Sequence, residues 1–162
     1  MAIRDIVKDG DPILRKKCRP VEVFDEKLGK LLDDMRETMN KADGVGLAGP
    51  QIGILRRVVV IEVGDFYVEL INPEILESSG EQIGVEGCLS VEGKNCYVSR
   101  PNYVKVKYCD RFGKQMVLEA EELIARAVFH ETDHLEGVLF YDKEYTGKVS
   151  KKKLKWFLII NY

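Results

Sequence analysis

Residues 130–137 read "HETDHLEG", and both the fold class and the chemistry turn on that stretch. If it is helical, His130 and His134 project from one face, because positions i and i+4 lie one turn apart. Two imidazoles so placed chelate a metal ion, and Glu131 stands beside them to move protons to and from a water the ion activates, as in an H-E-x-x-H motif. These are the only 2 histidines in 162 residues. A partly exposed helix with no further role gives no reason for both to fall within one turn of each other.

The residues leading into the motif, "EAEELIARAVF" at 119–129, change the hydrophobic period from two to a helical one, with Leu123, Ile124, Ala127, Val128 and His134 on a broad inward stripe. Gly137 is a suitable stop. Before this helix, alternating "YVKVKY" (103–108), the turn sequence "DRFGK" and "QMVLEA" (115–120) predict an antiparallel hairpin. The β-branched run "RRVVVIEV" (56–63) predicts a buried strand, and "FYVELINP" a second that Pro73 stops, the two forming a hairpin. Phe24, Leu28, Leu31, Leu32, Met35 and Met39 recur in steps of three and four, so an amphipathic helix should run from 24 to 39 and end near Gly44. The expected fold is a single α+β domain over 1–162, with antiparallel strands surrounding a central metal-binding helix and a short basic and apolar tail from about 146.

Composition is that of a globular protein, 45% hydrophobic and 32% charged, and a net charge of −2 removes any global electrostatic case for DNA or an anionic membrane. No run approaches the ~18 apolar residues of a spanning helix. The opening "MAIRDIVKDG" is too charged for a secretory leader, so a cytoplasmic protein is expected. Four cysteines, Cys18, Cys88, Cys96 and Cys109, lack zinc-finger spacing, and in a reducing compartment they do not form a disulfide framework.

A hydrolytic H-E-x-x-H site needs a third protein ligand. The extended form H-E-x-x-H-x-x-G-x-x-H fits as far as Gly137, but Phe140 holds the last histidine position. A later glutamate is no better, since no acidic residue follows Glu144. That leaves a cysteine thiolate. Cys88 stands out in "EGCLS", where a glycine lets the backbone approach the metal helix closely and a strand follows. The other three read more simply as small packed or exposed residues.

Three motifs in order, "GVGLAGPQ" (44–51), "EGCLS" (86–90) and "HETDH" (130–134), resemble those of the peptide deformylases, metallohydrolases that remove the formyl group from the N-terminal methionine of nascent chains. The resemblance runs from "GDPILRKKCRPV" through "GVLFYDK", nearly the whole chain. It implies that Cys88, His130 and His134 hold one divalent ion, physiologically Fe²⁺, at a site that also accepts Zn²⁺, Ni²⁺ or Co²⁺. It further implies that Glu131 is base and then acid, and that the Gln51 side-chain amide and the Leu89 N–H stabilise charge on the formyl oxygen. Backbone near Gly46 would pair with the peptide as an added strand, Val45, Ala127 and Val128 would line the methionine pocket, and Arg100 would either help hold the chain or be a solvated strand-end arginine. The implied partners are N-formylmethionyl nascent peptides. In the Lys-rich tail, the local basicity of Lys148, Lys151, Lys152, Lys153 and Lys155 would suit contact with the ribosome, through its RNA near the exit tunnel. The alternative is that Trp156, Phe157, Leu158 and Ile159 cover the core and the lysines are solvated.

Two positions depart from the family pattern. Gly49 replaces an alanine, a lost methyl expected to loosen packing, and Phe129 stands where glutamine is usual. The rival readings are a small zinc endopeptidase, a deformylase-like hydrolase with altered substrate range, and a structural metal site, which would have no use for Glu131.

Overall fold

The computed structural model describes residues 2–148 and the backbone of Leu154–Trp156. Helix α1 spans Glu26–Lys41, two residues later than its apolar pattern suggests, because the Asp25 side chain accepts from the Leu28 N–H and fixes the start there. Leu28, Leu32, Met35 and Met39 are its buried stripe.

Strands β1 (Gly46–Ala48), β2 (Val58–Val63) and β3 (Phe66–Ser79) pair antiparallel, with the expected hairpin between β2 and β3. Strand β2 reads as a continuous apolar run because both its faces are covered. Val58 and Val60 join the α1 side with Leu32 and Met39, whereas Val59 and Ile61 join the opposite cluster with Leu70, Ala127 and Val128.

Pro73 does not stop β3. The strand continues to Ser79, with a register shift between Ile71 and Glu74 that places the proline where no ladder N–H is required. Asn72, at φ 53°, turns the chain there, and its side-chain amide is held by the N–H and carbonyl of Val21 at 2.8 and 2.9 Å.

Strands β4 (Gln82–Cys88) and β5 (Val91–Arg100) form a hairpin that the sequence reading missed apart from a strand after Cys88. Nearly every residue of β4 is buried, so no polar alternation marks it. The predicted hairpin of β6 (Tyr103–Cys109) and β7 (Gln115–Glu121) is present, and helix α2 (Glu122–His134) follows β7 with no intervening residue. One sheet has the order β1-β2-β3-β6-β7, and α2 packs against β1, β2, β6 and β7. Leu154–Trp156 forms β8, parallel to β4, the one departure from an all-antiparallel arrangement among the described strands. Of the lysines in the basic tail, Lys148 is exposed, Lys155 is described in its backbone alone within β8, and Lys151, Lys152 and Lys153 lie outside the described residues.

The N-terminal segment is tied down at Asp34, which is 2% exposed and accepts from the Ala2 N–H at 2.7 Å and from both Arg4 Nε and NH2. Burial alone would raise its pKa, but the Ala2 amide and Arg4 outweigh that and hold it below the usual carboxylate range. A depressed folded pKa contributes stability above the unfolded value of ~3.9 and loses it as pH falls through the folded one. Asp34→Asn should therefore cost about 2 kcal/mol at neutral pH. Urea unfolding should show the gap from wild type narrowing as the pH is lowered below about 4.

Candidate metal centre

Helix α2 presents His130, Glu131 and His134, none more than 2% exposed, toward the end of β4. There Cys88 closes the strand, and its Sγ lies 3.4 Å from His134 Nε2. One donor atom from each of Cys88, His130 and His134 falls within 4.8 Å of the others. His130 Nδ1 is engaged by Glu86 Oε1 at 2.8 Å, and its Nε2 is buried with no hydrogen-bond partner. Burial holds His134 well below the usual histidine pKa, in the neutral form a ligand requires. An orphaned imidazole nitrogen beside a second imidazole and a cysteine sulfur is a donor set that fits a borderline divalent cation, with one position left for water or substrate.

Both Glu131 carboxylate oxygens are likewise buried without a partner. Burial pushes the carboxyl up to about 7, toward a group that both takes and gives protons near neutrality. A Cβ at Gly46 would lie 2.7 Å from Glu131 Oε2, so this glycine of β1 is what lets the strand pass over the carboxylate.

Gln51, in the 3₁₀ turn Gly49–Ile52 after β1, is fully buried. The Ala48 N–H donates to its Oε1 at 3.0 Å, which orients the amide, and its Nε2 then lies 3.4 Å from Cys88 Sγ and 3.2 Å from Ser90 Oγ. The amide therefore aims its donors at the metal-ligand cluster. Gly49 opens this turn, and the expected packing loss does not arise there. A Cβ would meet the carbonyls of Ile54 and Arg56 at 2.6 and 2.7 Å, so the chain at 54–56 already occupies the space of the missing methyl.

Other expectations change. Arg100 is 3% exposed, and its guanidinium is spent on Glu86 at 2.9 Å through both Nε and NH2 and on Asp133 at 2.6 Å, so it offers nothing to a peptide. Ala127 and Val128 have no exposed surface and pack in the core with Val59, Ile61 and Leu70. Of the three expected pocket residues, only Val45 is partly exposed.

Glu86 is the residue the sequence reading passed over. Arg100, Arg126 NH1 at 2.6 Å and His130 converge on its carboxylate, and all four side chains are almost wholly buried. Burial opposes its ionisation, but Arg100 and the other partners hold its carboxyl well below the usual range. An ionised Glu86 fixes the tautomer and direction of His130, as carboxylates behind metal-binding imidazoles do. The available signal was a glutamate at the head of "EGCLS", in a segment otherwise built for burial. Nothing in the pattern marks Arg126, set between two alanines of α2.

The fold and the cluster together are those of a metal-dependent hydrolase of the H-E-x-x-H kind. The polypeptide deformylase family profile matches residues 3–152, and the chain belongs to that family. It is 61% identical over 143 residues to peptide deformylase 1 of Clostridium acetobutylicum, covering 88% of this chain and 95% of that one. To the peptide deformylase of Thermoanaerobacter sp. it is 53% identical over 159 residues, 97% of this chain and 96% of the other. The crystal structure of peptide deformylase from Thermotoga maritima superposes with a TM-score of 0.88 at 44% identity, covering 90% and 99% of the two chains. That of a Synechococcus elongatus peptide deformylase, in complex with actinonin, gives 0.86 at 40%, covering 88% and 79%.

Proposed function

We propose that this chain hydrolyses the formamide bond of N-formylmethionyl peptides, releasing formate and a free amino terminus. The observation that carries the reading is Glu131, a buried carboxylate with no partner on either oxygen, set among three metal-donor side chains. Cys88, His130 and His134 would hold the ion, Fe²⁺ by family resemblance. When bound, the ion acts as a Lewis acid that makes water a nucleophile at neutral pH and polarises the formyl oxygen.

Glu131 accepts the proton of the attacking water as oxygen bonds to the formyl carbon. Gln51 Nε2–H and the Leu89 N–H donate to the formyl oxygen as negative charge gathers on it. When the C–N bond breaks, Glu131 gives its proton to the departing amine, and formate is left. By family resemblance an extended peptide would lie along β1, an outer strand of its sheet among the described residues, which would give affinity without demanding particular side chains downstream. Val45, partly exposed just ahead of β1, would meet the methionine side chain by family resemblance. Among the described residues no helix is long and apolar enough to cross a membrane. The reading places the protein in the cytoplasm, where nascent chains emerge.

Cys88→Ser tests the ligand set. A thiolate ligand predicts loss of about a hundredfold or more in metal affinity, read by competition with a chelator, and a parallel loss of deformylation. A variant that keeps its metal and cleaves internal peptide bonds would point to an H-E-x-x-H endopeptidase with a third ligand elsewhere.

A further inference from the structure

Ahead of α1, three consecutive residues hold the two segments that carry Gln51 and Leu89. The Val7 N–H donates to the Gln51 carbonyl at 2.7 Å, and the Asp9 N–H donates to the Ser90 carbonyl at 2.7 Å. Between them, Lys8 Nζ donates to the Leu89 carbonyl at 3.0 Å and pairs with Glu92 at 2.8 Å. The segment is anchored from outside as well, since the Tyr141 hydroxyl donates to the Asp9 carboxylate at 3.0 Å.

Leu89 and Ser90 form the tip between β4 and β5, with Cys88 and Val91 as the last cross-strand pair. Lys8 and Asp9 supply the donors for the two carbonyls of that tip. The Ser90 hydroxyl, on the same tip, accepts from Gln51 Nε2 at 3.2 Å. The 7–9 segment therefore clamps the 3₁₀ turn bearing Gln51 to the β4–β5 tip, and Lys8 is the only side chain among the three contacts.

We propose that Lys8 is a positioning residue for the oxyanion-binding groups, acting through the Leu89 carbonyl. Fixing that carbonyl holds the Leu89–Ser90 peptide plane, and with Cys88 held in β4 on the other side this restricts φ and ψ of Leu89 and so the swing of the Cys88–Leu89 plane that carries its N–H. Aim matters because a displacement of about 1 Å at a reacting centre costs on the order of a hundredfold in rate. What the clamped groups do rests on the proposed deformylase activity, but the clamp itself does not.

The test uses Lys8→Met, which keeps the apolar stem and removes the donor, and Lys8→Arg, which restores a cation of similar reach. Each is prepared as the full chain loaded with Ni²⁺. For a formyl-Met peptide, the Met variant should lose about tenfold in kcat, less than deletion of an oxyanion donor costs, with KM, metal content and melting temperature unchanged. The Arg variant should recover most of the loss. Independently of turnover, amide hydrogen exchange at Leu89 should quicken by about tenfold in Lys8→Met, while exchange at Val60 in the core stays the same. Wild type that releases no formate removes the proposed activity and leaves exchange to decide the clamp. Unchanged Leu89 exchange, unchanged kcat in an active enzyme, or a joint fall of kcat and melting temperature would each overturn the inference.

Discussion

Glu131→Gln should lower kcat/KM on a formyl-Met peptide by about a thousandfold while the protein keeps its metal. The amide has the shape of the carboxylate but cannot take a proton from water or deliver one to the amine. The same change should not weaken the fold. Both Glu131 oxygens are buried without partners, so the carboxylate is a cost that folding bears. The variant should match wild type in stability or exceed it by about 1 kcal/mol, the trade-off seen where an active site holds a strained or unsatisfied group. Steady-state kinetics, elemental metal analysis and urea unfolding read the three parts together. Substantial turnover by the metal-loaded variant would take the proton-transfer role away from Glu131.

Glu86→Leu should have the largest effect on stability, about 4 kcal/mol, measured by urea unfolding. The penalty comes from what remains, because Arg100 and Arg126 stay buried after their shared carboxylate is gone. Metal affinity should fall by about 10- to 100-fold as His130 loses the group that orients it. Arg57–Glu136 is a built-in comparison, an ion pair at 3.3 Å whose glutamate is half exposed. Glu136→Gln should change stability by less than about 1 kcal/mol. If the two variants were equally mild, Glu86 would be a solvated partner rather than the centre of a buried network.

The helix carrying the motif could be read in the sequence because its constraint is local. Two histidines one turn apart on an apolar stripe specify a helix and a ligand pair at once. The β6–β7 hairpin was equally plain, since one face is wet and the other dry and the turn residues sit between. Strand β4 was hidden because its burial on both sides erases that alternation, and with it went the meaning of Glu86 and Arg100. Each of those two looks like a surface charge until its partner is known: they lie 14 positions from each other, and Arg126, which shares the Glu86 carboxylate, lies 40 positions from that glutamate. Pro73 was misread for a related reason. A proline stops a regular strand, but the register shift beside it follows from Asn72 holding Val21, across a separation of 51 residues. Gly49 looked like a missing methyl until the carbonyls of Ile54 and Arg56 were seen in its place.

The central claim is tested most directly by incubating the protein, loaded anaerobically with Fe²⁺ or with Ni²⁺, with a formyl-Met-Ala-Ser peptide and quantifying formate and free amine together. The account predicts equal amounts of both, with the Met–Ala bond intact. A folded, metal-loaded protein that releases no formate, or that cuts the Met–Ala bond instead, would contradict it.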